Sequence, residues 1–204
     1  MCIRDRSMDK IEMLTGRLLQ PGPASPVVMA TCVDRQGKAN IITLGMYMSI
    51  SHRPPQVCIG VAPQRYSHDL ITETGEFVVN MPPISLEDEV HYCGTESGRR
   101  VDKFKETGLT AIPSLKVKPP RIEECFSHIE CRVVQSVVCG DHTLFVGEVV
   151  AATANKGVMR GGVIDVLRAR PIVQKNHVYY TVTDEKDYPD PPRDIQGSNN
   201  GPPR

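Results

Sequence analysis

Four runs between Ala39 and Asn80 decide the reading of this chain. They are Asn40-Ile41-Ile42-Thr43-Leu44-Gly45, then Ser49-Ile50-Ser51 followed by Arg53-Pro54-Pro55, then Arg65-Tyr66-Ser67-His68-Asp69-Leu70-Ile71, and finally Thr74-Gly75-Glu76-Phe77-Val78-Val79-Asn80. The first is the front of an apolar strand expected over Asn40 to Ile50, which pairs as a hairpin with Val27 to Asp34 across the turn Asp34-Arg35-Gln36-Gly37. Pro54-Pro55 breaks the chain, and Gln56 to Ala62 makes a third strand. Tyr66 to Thr74 reads as a short helix with Ser67 as its N-cap and Gly75 as its C-cap, and Glu76 to Met81 returns to strand.

Outward from this stretch the same alternation of short strands and turns continues. Ser85-Leu86-Glu87-Asp88 opens a second helix with N-cap chemistry, and Ser97 to Thr107 is a third helical stretch ending at Gly108. Pro113 to Pro120 is a loop. Two long strands follow, Glu124 to Cys139 and Thr143 to Ala154, joined by Gly140-Asp141-His142, and a last hairpin turns at Asn176. Long strands with turns between them, and helices that do not alternate regularly with strands, indicate a β-barrel carrying a few helices rather than a doubly wound sheet.

Composition sets outer limits. A chain of 204 residues fits one domain. Residues 18–183 form that domain. Residues 1–17 are expected to be a leader, partly non-native or disordered, with Met8 reading as a start, and 184–204 a flexible Pro- and Gly-rich tail. Lys+Arg and Asp+Glu both total 24, so no global field attracts nucleic acid or an anionic membrane. The most apolar run, Leu144 to Ala154, is interrupted by Glu148 and falls short of a membrane span. Seven cysteines, without C-x-x-C spacing or an export signal, point to reduced thiols in a cytoplasmic protein. Period two places Cys125, Cys131 and Cys139 on the more apolar face of their strand, where a thiol packs as a small hydrophobe, and no ligand spacing suggests a metal. His91-Tyr92-Cys93 is either a reactive thiol beside a histidine or an ordinary helix end before Gly94. No G-x-G-x-x-G, G-x-x-x-x-G-K-[ST] or G-x-S-x-G occurs.

Arg65 and Ser67 at a helix start combine a cation, a hydroxyl and unpaired backbone N–H groups, which suits a terminal phosphate; the competing reading is a solvated arginine and a simple cap. Thr43, Ser49 and Ser51 bring hydroxyls that could meet the edge of a polar heterocycle. His142, in the turn Gly140-Asp141-His142-Thr143, belongs at a barrel rim, where it either assists catalysis or merely shapes the turn.

The order N-x-x-T, S-x-S-x-x-P-P, R-x-[ST]-x-x-x-I and T-G-E-F-V-V-N, with Cys93-Gly94-Thr95, the run Ser97-Gly98-Arg99-Arg100-Val101-Asp102-Lys103-Phe104, and Gly140-Asp141-His142 before Leu144-Phe145-Val146-Gly147-Glu148-Val149, resembles the flavin-reductase-like family over roughly residues 18 to 183. The resemblance implies a mainly β fold: an antiparallel split barrel of Greek-key type with a few short helices. It implies FMN, lined by Thr43, Leu44, Ser49, Ile50 and Ser51 and held at its phosphate by Arg65, Ser67 and His68, with Asp102 and Lys103 approaching from the helical insert. It further implies a homodimer and a flavin-reductase activity. Electrons would pass from NADH or NADPH through FMN to a small-molecule acceptor such as free flavin or a ferric complex, or to a partner oxygenase, with His142 as the assisting residue. An FMN-binding electron carrier without nicotinamide activity, and a barrel that binds no flavin, are the alternatives. Arg100 stands where the family commonly has an acidic residue, a change that bears on nucleotide preference if the position meets one.

Overall fold

The structure is a computed structural model, and it describes residues 22–184. In chain order the elements are β1 (Ser25–Pro26), β2 (Val28–Val33), β3 (Ala39–Leu44), β4 (Tyr47–His52), β5 (Pro55–Val61), α1 (Tyr66–Thr74), β6 (Glu76–Met81), α2 (Glu87–Thr95), α3 (Lys103–Thr107), β7 (Ala111–Ile112), β8 (Arg121–Ile122), β9 (Ser127–Cys139), β10 (His142–Ala154), β11 (Met159–Arg160), β12 (Val163–Ile164), α4 (Val166–Ala169), β13 (Ile172–Lys175) and β14 (Val178–Thr181). The expected leader, 1–17, and the tail beyond 184 lie outside the described residues.

One seven-stranded antiparallel sheet, in the order β3-β2-β6-β9-β10-β5-β4, makes the barrel. Its two edges, β3 and β4, follow each other in sequence yet do not pair, so the barrel is split between them. Here the expected single strand over Asn40 to Ile50 is corrected: Gly45-Met46 interrupts it and carries the chain from one edge of the sheet to the other. Gly45 passes close under Gln174 at that crossing, where a Cβ would meet the side-chain amide and push it aside.

Alternation along the strands supplies two apolar cores. Val28, Ala30, Cys32, Ile42 and Leu44 point into the barrel with Ile59, Phe77, Val79 and Phe145, and α1 closes one end with Leu70 and Ile71. The opposite faces of β2 and β3 send Met29 and Ile41 to meet Val90 and Cys93 of α2, together with Leu109, Ile122 and Ile172. Full burial of one such aliphatic side chain stabilises by about 1.5–3 kcal/mol, which is why α2 holds against β3 without a side-chain cap at its N-terminus.

The chain between β6 and β9 is an excursion that leaves and rejoins the sheet at one place, since Met81 pairs with Ser127. Buried polar groups tie it down. Asn80 donates to the Met29 carbonyl and accepts from the Ile122 N–H. Glu130, 1% exposed, accepts from the N–H groups of Leu115 and Lys116. His128 is held between the Ile122 carbonyl and the Thr153 hydroxyl. The polar face of β9 is therefore covered at its first half.

Three further expectations are corrected. The helical stretch expected over Ser97 to Thr107 shortens to α3, capped by Asp102 accepting from the Lys105 N–H, because 97–100 forms a turn pressed onto β3. Ser67 is not the N-cap of α1; that position belongs to Arg65, and Ser67 lies buried inside the first turn, while Gly75 closes the helix in the left-handed region as expected. Cys139 is exposed, unlike Cys125 and Cys131. A bulge at Val134, where Val133 pairs with Gly147 but Gln135 pairs with Val146, turns Cys139 to the face opposite Cys131, and the strand from Val134 to Cys139 is exposed on both faces.

Candidate functional site

A cavity of about 230 Å³ opens beside β3, between the start of α1, the end of α2 and the turn at 97–100. Asn40 and Ile42 form its floor, Arg65, Tyr66 and Ser67 one wall, and the segment from Cys93 to Gly98 with Arg100 and Lys103 the other. Its construction follows from close approaches. Asn40 donates from Nδ2 to Ser67 Oγ at 2.8 Å. Gly98 lies flat on Asn40, since a Cβ there would stand 2.0 Å from Asn40 Oδ1. Arg99 pairs with Asp69 and stacks on the Tyr66 ring at 4.8 Å, clamping the turn to α1.

The cavity is cationic. Arg65, Arg100 and Lys103 line it against the single carboxylate of Glu96. Lys103 is 4% exposed and donates from Nζ to the carbonyls of Ile41 and Cys93, at 2.7 Å each, so it ties β3 to α2. Burial lowers its pKa, with the neighbouring Arg65 charge adding to the effect. Among the described residues Arg65 has no carboxylate partner, and it stands exposed at the N-cap of α1. An exposed guanidinium, a helix start and a buried ammonium converge on one cavity, a set of donors and positive charge that suits an anion such as phosphate.

The expected site residues divide around this cavity. Arg65, Ser67 and Lys103 line it. His68 does not; its Nε2 bonds the Thr143 hydroxyl at 2.9 Å and its ring meets Phe145 edge-on at 5.3 Å. Asp102 caps α3. Thr43 donates its hydroxyl to the Val90 carbonyl beneath α2, and the Leu44 side chain lies in the barrel core. Ser49, Ile50 and Ser51 lie on the edge strand β4, with Ser49 and Ile50 exposed and Ser51 half-buried. Counted from the Gly45-Met46 crossing, Ser49 and Ser51 stand as far along β4 as Ile42 and Asn40 stand back along β3. His142 is the first residue of β10 rather than part of the turn, half-buried, with Nδ1 donating to Asp141 Oδ1 at 2.7 Å; the adjacent Thr143 connects it to His68.

The reactive-thiol reading of His91-Tyr92-Cys93 is overturned. Cys93 is fully buried in α2, and desolvation pushes its thiol up to about 11. Burial likewise raises Cys32 and Cys131 to about 12. Asn40, Gly98 and Glu96 are the site residues that sequence reasoning did not single out. The signal for Asn40 was a lone amide opening an otherwise apolar strand. Among the described residues no group of three His, Cys, Asp or Glu is placed to hold a metal ion, and no helix is long and apolar enough to cross a membrane.

Residues 22–182 match the model of the flavin reductase like domain, and the chain belongs to that family. A protein of Archaeoglobus fulgidus is 44% identical over 116 residues, covering 57% of this chain and 66% of the relative. An NADH:riboflavin 5′-phosphate oxidoreductase of Streptomyces pristinaespiralis is 28% identical over 129 residues, 61% of this chain and 68% of that one. The reductase component of a 4-nitrophenol monooxygenase from Rhodococcus opacus is 29% identical over 115 residues, 56% and 58% of the two chains. Among solved structures, flavoredoxin from Methanosarcina acetivorans superposes with a TM-score of 0.80 at 29% identity, covering 89% of this chain and 96% of that one. Flavoredoxin of Desulfovibrio vulgaris superposes with a TM-score of 0.81 at 24% identity over 88% and 97%, a likeness of fold.

Proposed function

We propose that this member of the flavin reductase like family binds FMN as a homodimer and passes electrons from NADH or NADPH, through the flavin, to free flavin, a ferric complex or a partner oxygenase. The observation that carries the reading is the cationic cavity at the start of α1, where Arg65 pairs with no carboxylate among the described residues. The donor set fits a terminal phosphate: a guanidinium, the first N–H groups of α1 and a buried ammonium behind them. Bound FMN supplies hydride acceptance and electron release.

The chain's own residues do the holding. Arg65 and the start of α1 fix the phosphate, while Lys103 keeps the opposite wall positive and ties it to β3. The seam between β3 and β4 offers edge-strand backbone and the hydroxyls of Ser49 and Ser51 to the polar rim of the ring. His142, oriented by Asp141, presents Nε2 at the end of β10 toward a nicotinamide or acceptor. The homologous oxidoreductase and monooxygenase component support the nicotinamide donor and an oxygenase acceptor. The outer face of β4, β5, β10 and β9 supports the homodimer: Met46, Met48 and Val137 lie 41%, 55% and 38% exposed around Leu144 and Val146.

Titrations of apo-protein with FMN and riboflavin test the reading. Arg65→Ala should weaken FMN by about 1.5–3 kcal/mol, the loss of a charge-assisted hydrogen bond, and leave riboflavin nearly unchanged. His142→Ala should slow flavin reduction by NAD(P)H in stopped flow while FMN affinity holds. Equal weakening of FMN and riboflavin by Arg65→Ala removes Arg65 from the phosphate.

A further inference from the structure

The second cation on the cavity wall has no task in holding one phosphate. Consecutive arginines leave the 97–100 turn in different directions. Arg99 is committed to Asp69 and Tyr66. Arg100 instead lines the cavity, held among the described residues only by Glu96 at 3.4 Å, four residues away on the chain. Both partners are exposed, with side chains 71% and 38% accessible, so the pair opens at little cost. The backbone beneath it does not move so easily: Arg100 N–H donates to the Ser97 carbonyl, and Gly98 is pressed onto Asn40. An exposed guanidinium on a fixed turn therefore stands on one wall, and Arg65 stands on the other.

We propose that Arg100 is a specificity-determining residue: beside the terminal phosphate that Arg65 holds in FMN, it takes the second phosphate of a pyrophosphate group, so that the cavity admits a dinucleotide as well as FMN. The inference rests on the reading of this cavity as the phosphate site. A guanidinium's planar fork suits bidentate contact with phosphate oxygens, which a lysine at this position would not reproduce. Two sources carry that chemistry, an FAD in place of FMN and the nicotinamide dinucleotide.

The test measures inorganic pyrophosphate and inorganic phosphate binding to the apo full-length chain by calorimetry. Wild type should bind pyrophosphate about tenfold more tightly than phosphate, and Arg100→Ala should cut that ratio to about threefold or less, for the loss of one charged contact. Glu96→Gln, which releases Arg100, should raise the ratio. A ratio near one in wild type, or one unchanged by Arg100→Ala, overturns the proposal. The sources separate in two further titrations with Arg100→Ala. A fall in FAD affinity relative to FMN identifies FAD, and a fall in NADH or NADPH affinity for the flavin-free protein identifies the nicotinamide dinucleotide. If neither falls, the dinucleotide assignment is wrong. Failure of the flavin reading looks different: FMN would not bind wild type at all, whatever the pyrophosphate ratio.

Discussion

Gly98→Ala is the sharpest probe of how the cavity is built. The new Cβ would stand 2.0 Å from Asn40 Oδ1, 2.6 Å from its Cγ and 3.2 Å from Nδ2. Asn40 cannot swing aside freely, because it is 5% exposed and donates to Ser67 inside the cavity. Either the amide leaves Ser67 or the 97–100 turn lifts off β3. Overpacking of this kind costs about 1–3 kcal/mol, and the lost buried hydrogen bond about 1 more. A total of about 2–4 kcal/mol lowers Tm by roughly 4–15 °C in a domain of this size. Thermal unfolding followed by circular dichroism measures it. The cause is isolated by a double-mutant cycle with Asn40→Ala, which removes the atoms in the way. The clash predicts that the double variant is more stable than the sum of the two losses by at least about 1 kcal/mol. Strictly additive losses, or a Tm drop under about 2 °C for Gly98→Ala, would refute the packing argument.

Two other outcomes follow from the structure. His128 is buried and its pKa is lowered, chiefly by desolvation, so the native state holds it neutral while the unfolded chain protonates near 6.5. Its contribution is complete above that value and is lost as pH falls below it toward the folded value, by up to about 1.4 kcal/mol per pH unit; His128→Gln should flatten the fall in Tm between pH 7 and 5, and an equal slope in both proteins would reject it. Met48→Lys, placed on the exposed apolar face of β4, should shift the protein toward monomer in sedimentation at micromolar concentration, and an unchanged sedimentation coefficient would move the interface elsewhere.

The strands, α1 and the Gly75 cap were legible because each is specified locally, by period-two alternation or by a residue free to adopt φ of 69°. What escaped the sequence is long-range. The bulge at Val134 inverts the face of Cys139, and nothing in a run of alternating residues marks where the extra one falls. The crossing at Gly45-Met46 runs beneath Gln174, more than a hundred residues away in the chain, a contact that no local pattern marks. Arg65 and Ser67 could be named together because they share a helix start, but Asn40 and Gly98 join them only through tertiary contact. Lys103 was expected near the ligand and lines the cavity, yet two buried carbonyls engage it, and a sequence shows no acceptor that distant.

The pairing of Met81 with Ser127 makes the chain between them a detachable cassette. Its two stems are sheet neighbours, with the Phe126 N–H donating to the Met81 carbonyl, so its exchange for another length or sequence leaves the barrel's ladder intact. Yet this cassette supplies one whole wall of the cavity, from Cys93 through Lys103, while Arg65 and Ser67 stay with the barrel. The barrel and the insert thus each contribute cations to the cavity, Arg65 from the one and Arg100 and Lys103 from the other. Editing that insert would reshape what the pocket admits, within the limits set by the apolar core that Val90, Cys93, Leu109 and Ile122 share with Met29 and Ile41, and by Asn80, Thr31, Glu130 and His128 where it docks.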